Sequence, residues 1–326
     1  MRKTAFWIRT FWIAAVAVCG GAAAISRAET VLRIGYFPNV THAQGVIGAH
    51  GTRQGGGWFE ERLGGDVKIQ WFPFNAGPSA MEAIFAGSID ATYVGPNPAL
   101  NAYIKSQGEE IRVLAGAALG GAALVVPANS PLAKPADFRG KKIGTPQLGN
   151  TQDIAARAWL RSAGLKVTIT GGDVMVVPTP NPDQLGMFKT GQLDAVWTVE
   201  PWVSRLVLEA DGRILVEESE AVTTILVSSV KLLRQRPELA QKLRAAHLAL
   251  TEWITAHPAE AQAQVRAGLT AETRREIPAA LVAASWARLH FTDRVEPVVL
   301  ETFMAEAQAA GLLKRTLPIG RMFEAN

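Results

Sequence analysis

Cysteine is nearly missing from this chain of 326 residues: the single one, Cys19, falls in its opening stretch. Beyond Cys19 no thiol can form a disulfide, attack a substrate or hold a soft metal, so disulfide scaffolds and thiol chemistry are excluded. Histidine is scarce too. Its five copies are scattered and no His-Glu-x-x-His occurs, which leaves no sequence signature for catalytic zinc. An excess of positive charge is also lacking once the start is set aside. Residues 1–28 hold four of the 33 Lys and Arg and none of the 29 Asp and Glu. The remainder is balanced, so the basic face that nucleic-acid binding depends on is not expected, and no nucleic-acid partner is. There is no low-complexity stretch and no disordered linker.

The one long apolar run lies at the start. Arg2, Lys3 and Arg9 precede an apolar stretch from Thr10 through Ile25, and Ser26-Arg27-Ala28 places small residues where a signal peptidase reads. Residues 1–28 are therefore expected to be a signal peptide cleaved after Ala28, which sends the protein to the periplasm. The run is short for a bilayer span, and Gly20-Gly21 interrupts it. The alternative is a lipoprotein anchored through Cys19, which follows Val16-Ala17-Val18; the bulky Val18 argues against it.

What the chain does contain is one phrase written twice. Phe85-Ala86-Gly87-Ser88-Ile89-Asp90-Ala91-Thr92-Tyr93 is followed by Pro96-Asn97-Pro98, and Phe188-Lys189-Thr190-Gly191-Gln192-Leu193-Asp194-Ala195-Val196-Trp197 by Glu200-Pro201-Trp202. Each reads as a helix ending at Gly, a short buried strand, and a polar loop whose Pro opens the next helix. Two such units predict two similar lobes with a ligand between them.

Strands are expected at 31–36, 67–72, 89–94 and 111–118, with helices from Ala43, over 79–86 and over 99–106. The second lobe repeats the scheme with strands at 124–127, 142–145, 174–177 and 195–198 and helices over 151–163, 182–190 and 201–210. Residues 223–229 read as a return strand, and the rest as Ala-rich helix anchored by Trp253 and Trp286. Alternation of this kind argues α/β architecture, a parallel sheet with helices on both faces. The lobes are expected to comprise residues 29–118 plus 222–326 and residues 119–221. Two short crossings near 117–123 and 217–224 join them, the second arrangement favouring a two-crossing hinge over loosely tethered domains. In open α/β sheets the ligand binds beyond the carboxyl ends of the strands, which singles out the polar loops there.

In order along the chain, Leu32-Arg33-Ile34-Gly35-Tyr36, Gly77-Pro78-Ser79, Ala86 to Ala91, Asp137-Phe138-Arg139-Gly140-Lys141-Lys142-Ile143-Gly144, Gly191 to Ala195 and Glu200-Pro201-Trp202 resemble the periplasmic solute-binding proteins of the nitrate/sulfonate/taurine ABC transporter family. The resemblance covers nearly all of residues 31–326. It implies a type II periplasmic binding protein fold of two doubly wound lobes. It also implies that a small-molecule ligand is handed to a membrane permease and its ATPase; a monomer without a cofactor is expected. It leaves the ligand open among sulfonates, taurine, nitrate, bicarbonate and neutral or heterocyclic molecules of pyrimidine or amide type.

The candidate site is built from loops. Asn75, Gly77 and Ser79 form one helix start, where free N–H groups and the helix dipole favour an anionic or strongly polar atom. Asn150, Thr151 and Gln152, after Gly149, offer the same in the other lobe, with Asn150 or Thr151 as cap. Phe37, Asn39 and His42 follow the first strand, and Asn97 holds the matching place after the third. Gly121 in the crossover and Glu200 and Trp202 of the second phrase complete the set. A carboxylate at Glu200 would suit a ligand ammonium, as the resemblance to taurine binders implies. Ordinary capping explains each loop singly; opposed across a cleft they read as a site. Asp90 and Asp194 are expected to be structural, holding loop N–H groups.

Enzymatic readings find little support. Thiamine-pyrimidine synthases share the implied fold but resemble a form with a cysteine-rich segment, which this chain lacks. Gly77-Pro78-Ser79-Ala80-Met81 lacks the second Gly of a nucleophile elbow. Gly116–Gly121 matches no phosphate-binding fingerprint. A sensory ligand-binding module is not expected either, since no transmembrane or signalling segment is read after the lobes, and binding without chemistry is the expectation.

Overall fold

The computed structural model describes residues 30–324; the expected signal peptide and Cys19 lie outside them. The first sheet begins with β1 (Thr30–Tyr36), which leads through a short 3-10 turn into α1 (Ala43–Arg53) and α2 (Trp58–Leu63). Next come β2 (Val67–Pro73), α3 (Gly77–Phe85), β3 (Ala91–Val94), α4 (Pro96–Lys105) and β4 (Ile111–Gly120). The chain then crosses into β5 (Ala122–Pro127), β6 (Lys142–Thr145), α5 (Thr151–Ser162), the small hairpin β7 (Val167–Thr168) and β8 (Gly171–Gly172), and β9 (Met175–Pro178). After α6 (Asn181–Lys189), β10 (Ala195–Val199), α7 (Trp202–Glu209) and β11 (Gly212–Glu218) it returns along β12 (Val222–Ser229). Helices α8 (Val230–Gln235), α9 (Pro237–Ala256), α10 (Pro258–Thr273), α11 (Ala279–Trp286) and α12 (Pro297–Ala309) follow, with β13 (Leu289–Phe291) after α11.

Two mixed sheets result, ordered β13-β4-β12-β3-β1-β2 and β11-β5-β10-β6-β9. In the first, β1 pairs parallel with β2 and β3, while β12 runs antiparallel between β3 and β4. In the second, β6 pairs parallel with β10 and β9, and β5 is antiparallel to β10 and β11. Alternate residues along a strand point to opposite faces, and both faces are packed. Tyr93 joins the cluster under α1 and α9, and Val94 the cluster under α4 and α12. In the second sheet Trp197 packs with Phe138 and Leu160, and Val196 with Phe188 and Val203. Each sheet is thus doubly wound.

The repeated phrase folds the same way twice. Gly87 and Gly191 end their helices at φ 66° and 71°, a left-handed conformation that glycine adopts without penalty. Asp90 N–H donates to Arg33 O (2.8 Å) and its carboxylate accepts from Arg33 N–H (2.9 Å). Asp194 N–H donates to Lys142 O (2.9 Å), and its carboxylate accepts from Lys142 N–H (2.9 Å). Both aspartates pin a parallel neighbour strand.

Several details differ from the sequence reading. The Gly-Ala stretch 116–123 is strand almost throughout, because β4 runs on to Gly120 and only Gly121 interrupts it. Gly120 (φ 73°) cannot be replaced there: a Cβ would fall 2.4 Å from Arg288 O and 2.8 Å from Ser219 O. Helix α2 and strands β11 and β13 are not expected from the sequence; β11 is held by antiparallel pairing with β5, β13 by pairing with β4, and α2 by packing on α9. Among the described residues no helix is long and apolar enough to cross a membrane.

Candidate functional site

The carboxyl ends of β1, β2, β3, β6, β9 and β10 converge on the space between the two sheets, and each runs into a helix start. A small cavity of about 20 Å³ lies there, room for about one water molecule. Eight of the expected site residues line it: Phe37, Asn39, His42, Asn75, Gly77, Asn150, Thr151 and Gln152. Thr41, Ala76, Gly95, Pro98, Pro146, Asn181, Val199 and Thr223 complete its wall. None of the lining residues is Lys, Arg, Asp or Glu.

The first helical N–H groups have no partner inside their own helix. At α3 the preceding residue is Ala76, which supplies no side-chain cap, and Gly77 leaves the backbone open. A Cβ at Gly77 would fall 2.3 Å from Pro98, so only glycine lets this turn approach α4. At α5 the Asn150 side chain caps the N–H of Asp153 (2.9 Å), which leaves the Thr151 and Gln152 N–H groups, in two residues that line the cavity, without that cap. The Thr151 hydroxyl is buried and has no hydrogen-bond partner. Helix dipoles add positive potential at each of these starts.

His42 contributes as a neutral ring. Burial pushes its pKa down to about 3. Its Nδ1 accepts from the Phe37 N–H (3.4 Å), which assigns the proton to Nε2 and makes that nitrogen a donor. The ring stacks on Phe37 at 4.2 Å, which holds its orientation.

Side chains from the first sheet's loops also grip the second. Asn75 donates from Nδ2 to Pro146 O (3.4 Å) and accepts at Oδ1 from the Asn181 N–H (3.2 Å). Asn39 Oδ1 accepts from Trp202 Nε1 (3.0 Å). These bonds cross the cleft and draw it nearly shut.

Five expected residues lie elsewhere. Ser79 sits two residues into α3, where its hydroxyl meets the Gln147 side chain (3.2 Å) across the cleft mouth. The Asn97 side chain turns back and donates to Phe303 O on α12 (3.3 Å), because Pro98 takes the cavity-facing side of that turn. Gly121 lies between β4 and β5, and its carbonyl accepts from the Glu200 N–H (2.8 Å). Trp202 bridges to Asn39 with Arg205 against its ring at 4.9 Å, and it does not line the cavity.

Glu200 differs most from its expected role. It is fully buried and accepts from Ser204 N–H (3.0 Å), Ser204 Oγ (2.9 Å) and Ser285 Oγ (3.0 Å), with Arg288 Nε at 3.3 Å. Burial raises its pKa. Both oxygens are engaged beside the hinge, so the carboxylate fastens α7 to α11 and does not face the cavity.

Asn181 and Thr223 escaped the sequence reading for different reasons. Asn181 opens α6 after β9, so the loop-after-strand rule applied to it, but Pro182 drew the predicted helix start one residue onward. Thr223 comes from β12, an antiparallel return strand to which that rule does not apply. Among the described residues no group of three or more His, Cys, Asp or Glu is placed to hold a metal.

A sequence model of the NMT1-like family matches residues 26–269. The chain is 30% identical over 154 residues to an Escherichia coli (strain K12) protein provisionally named for binding aliphatic sulfonates, 46% of each chain. It is 27% identical over 152 residues to the taurine-binding periplasmic protein of the same organism, 47% of this chain and 45% of that one. The matches thus span about half the length of these relatives. Among solved structures, the alkanesulfonate-binding protein of Xanthomonas axonopodis pv. citri with MOPS bound superposes with a TM-score of 0.72 at 22% identity, covering 90% of this chain and 98% of that one. The periplasmic nitrate-binding protein of Synechocystis PCC 6803 gives 0.69 at 15%, covering 87% and 82%. At these identities the structures establish a shared fold, that of periplasmic binding proteins.

Proposed function

The chain belongs to the NMT1-like family, and from that premise we propose that it is the solute-binding component of an ABC importer, a binding protein and not an enzyme. It captures a small oxyanion of sulfonate or nitrate type between its lobes and delivers it to the membrane permease and ATPase. The lobes are residues 29–118 plus 222–326 and residues 119–221, and they move as units about the crossings at Gly120–Gly121 and 219–221.

One observation carries the reading: a small cavity without charged side chains, rimmed by helix starts from both lobes and lined by Thr151, whose buried hydroxyl has no hydrogen-bond partner. Such neutral donors suit an oxyanion, since in a water-excluded space each N–H or O–H acts with little dielectric screening. In this nearly closed form the cavity has room for about one water molecule, so a sulfonate or nitrate enters and is accommodated through hinge opening. The relatives named for sulfonate and taurine binding support the ligand class.

Thermal unfolding with nitrate, bicarbonate, short sulfonates, pyrimidines and amides tests the proposal. An oxyanion should raise the melting temperature by mass action, by roughly 2.7 kcal/mol of stabilisation at a hundredfold excess over Kd. A response only to neutral heterocycles would overturn the oxyanion reading. Export belongs to the same proposal: N-terminal sequencing of the mature protein should begin at Glu29, and a lipid-modified Cys19 would contradict it.

A further inference from the structure

We infer that the cleft accepts an oxyanion whose body carries no positive charge and rejects zwitterions of the aminosulfonate kind. The inference deepens the proposed function and rests on it.

A bound ammonium is held most strongly by a carboxylate, because losing its hydration without a compensating charge is costly. No carboxylate lines the cavity. The two buried carboxylates nearest to it along the chain are both committed. Glu200 accepts hydrogen bonds from Ser204 and Ser285, with the Arg288 guanidinium as ion-pair neighbour at 3.3 Å. Asp153 accepts from Arg157 Nε (3.0 Å) and Nη2 (3.1 Å), Thr145 Oγ1 (3.2 Å) and Gly149 N–H (2.9 Å). Withdrawing either would leave a buried arginine or two serines without their partner.

The aromatic groups offer little more. Trp202 already faces the Arg205 guanidinium at 4.9 Å and spends its indole N–H on Asn39. Phe37 has one face against His42. The helix starts point their positive ends inward, which attracts the anionic head and repels a cation on the same small molecule.

The test compares an isosteric pair, propane-1-sulfonate and taurine, which differ by a methyl against an ammonium, with nitrate as a third probe. Calorimetry on the full mature protein gives the three Kd values. The expected result is that propane-1-sulfonate or nitrate binds at least about tenfold tighter than taurine. Taurine binding within that factor of the tighter probe, or better, would overturn the inference while leaving the proposed function standing. Binding of none of the three would overturn both.

Discussion

Thr151 holds a buried hydroxyl without a protein partner; a hydroxyl left unpaired in this way costs about 1–3 kcal/mol. Thr151→Val keeps the shape and removes the polar atom. The variant should therefore unfold at the same or a higher temperature, yet lose about 1.5–3 kcal/mol of affinity for a charged ligand, roughly tenfold to a hundredfold. Calorimetry alongside a ligand-free melt separates the two effects, and unchanged affinity would remove Thr151 from the site. The histidines act through their neutrality. Burial holds His42 at about 3 and His247 at about 4, against about 6.5 in the unfolded chain. Below about pH 6.5 the unfolded state therefore binds more protons than the native state, so these groups contribute stability that is complete above that pH and lost as it falls toward their native values. His247→Gln should make the slope of unfolding free energy against pH shallower by about 1.4 kcal/mol per pH unit between roughly pH 6 and 4.5. Equal slopes by urea denaturation would contradict the burial argument. His42 itself stays neutral near neutral pH, so it adds no pH dependence to ligand affinity there.

At the scale of elements, α5 is aimed by a charge pair at its own first turns. Asp153 and Arg157 lie one helical turn apart with side chains 0% and 1% exposed, and this near-total burial sets the cost of breaking them. Arg157 reaches on to Thr168 O (2.7 Å), and Asp153 to the end of β6 through Thr145. Helix start, strand end and the loop at Gly149 are thereby locked together, which fixes where the free N–H groups of Thr151 and Gln152 sit. Asp153→Asn would leave the guanidinium buried and unpaired and should destabilise the protein by about 3–5 kcal/mol. Asp153→Leu with Arg157→Met should recover much of that, because no charge is then stranded. Guanidinium denaturation of both variants decides this; a single variant as stable as the parent would mean that the pair contributes little.

The whole molecule is nearly closed by bonds that cross the cleft, Trp202 to Asn39, Asn75 to the Pro146 and Asn181 backbones, and Ser79 to Gln147. Each neutral bond contributes about 1 kcal/mol, enough to shift an open–closed equilibrium about fivefold. Trp202→Phe removes the indole donor without touching the cavity wall. By small-angle scattering the ligand-free variant should have a larger radius of gyration than the parent, and saturating ligand should bring both to one smaller value. Identical, ligand-independent scattering from both would argue against hinge closure.

The sequence by itself determined the parts of this protein that rest on local physics. The repeated phrase specified helix end, buried strand and pinning aspartate in both lobes, because a left-handed Gly, a short apolar run and an Asp beside a strand start act over a few residues. The same locality made the loops at Phe37–His42, Asn75–Gly77 and Asn150–Gln152 legible, since each is a strand end read directly into a helix start. Tertiary structure decided which way side chains turn once remote elements arrive. Glu200 faces inward because Ser285 and Arg288, some eighty-five residues on, supply partners that a ligand would otherwise provide. Asn97 turns to α12, more than two hundred residues away, and Thr223 enters the wall on a strand whose direction only the assembled sheet sets. Hydrogen-bond satisfaction of buried polar groups is a property of the packed neighbourhood, and that neighbourhood is assembled from segments far apart in the chain.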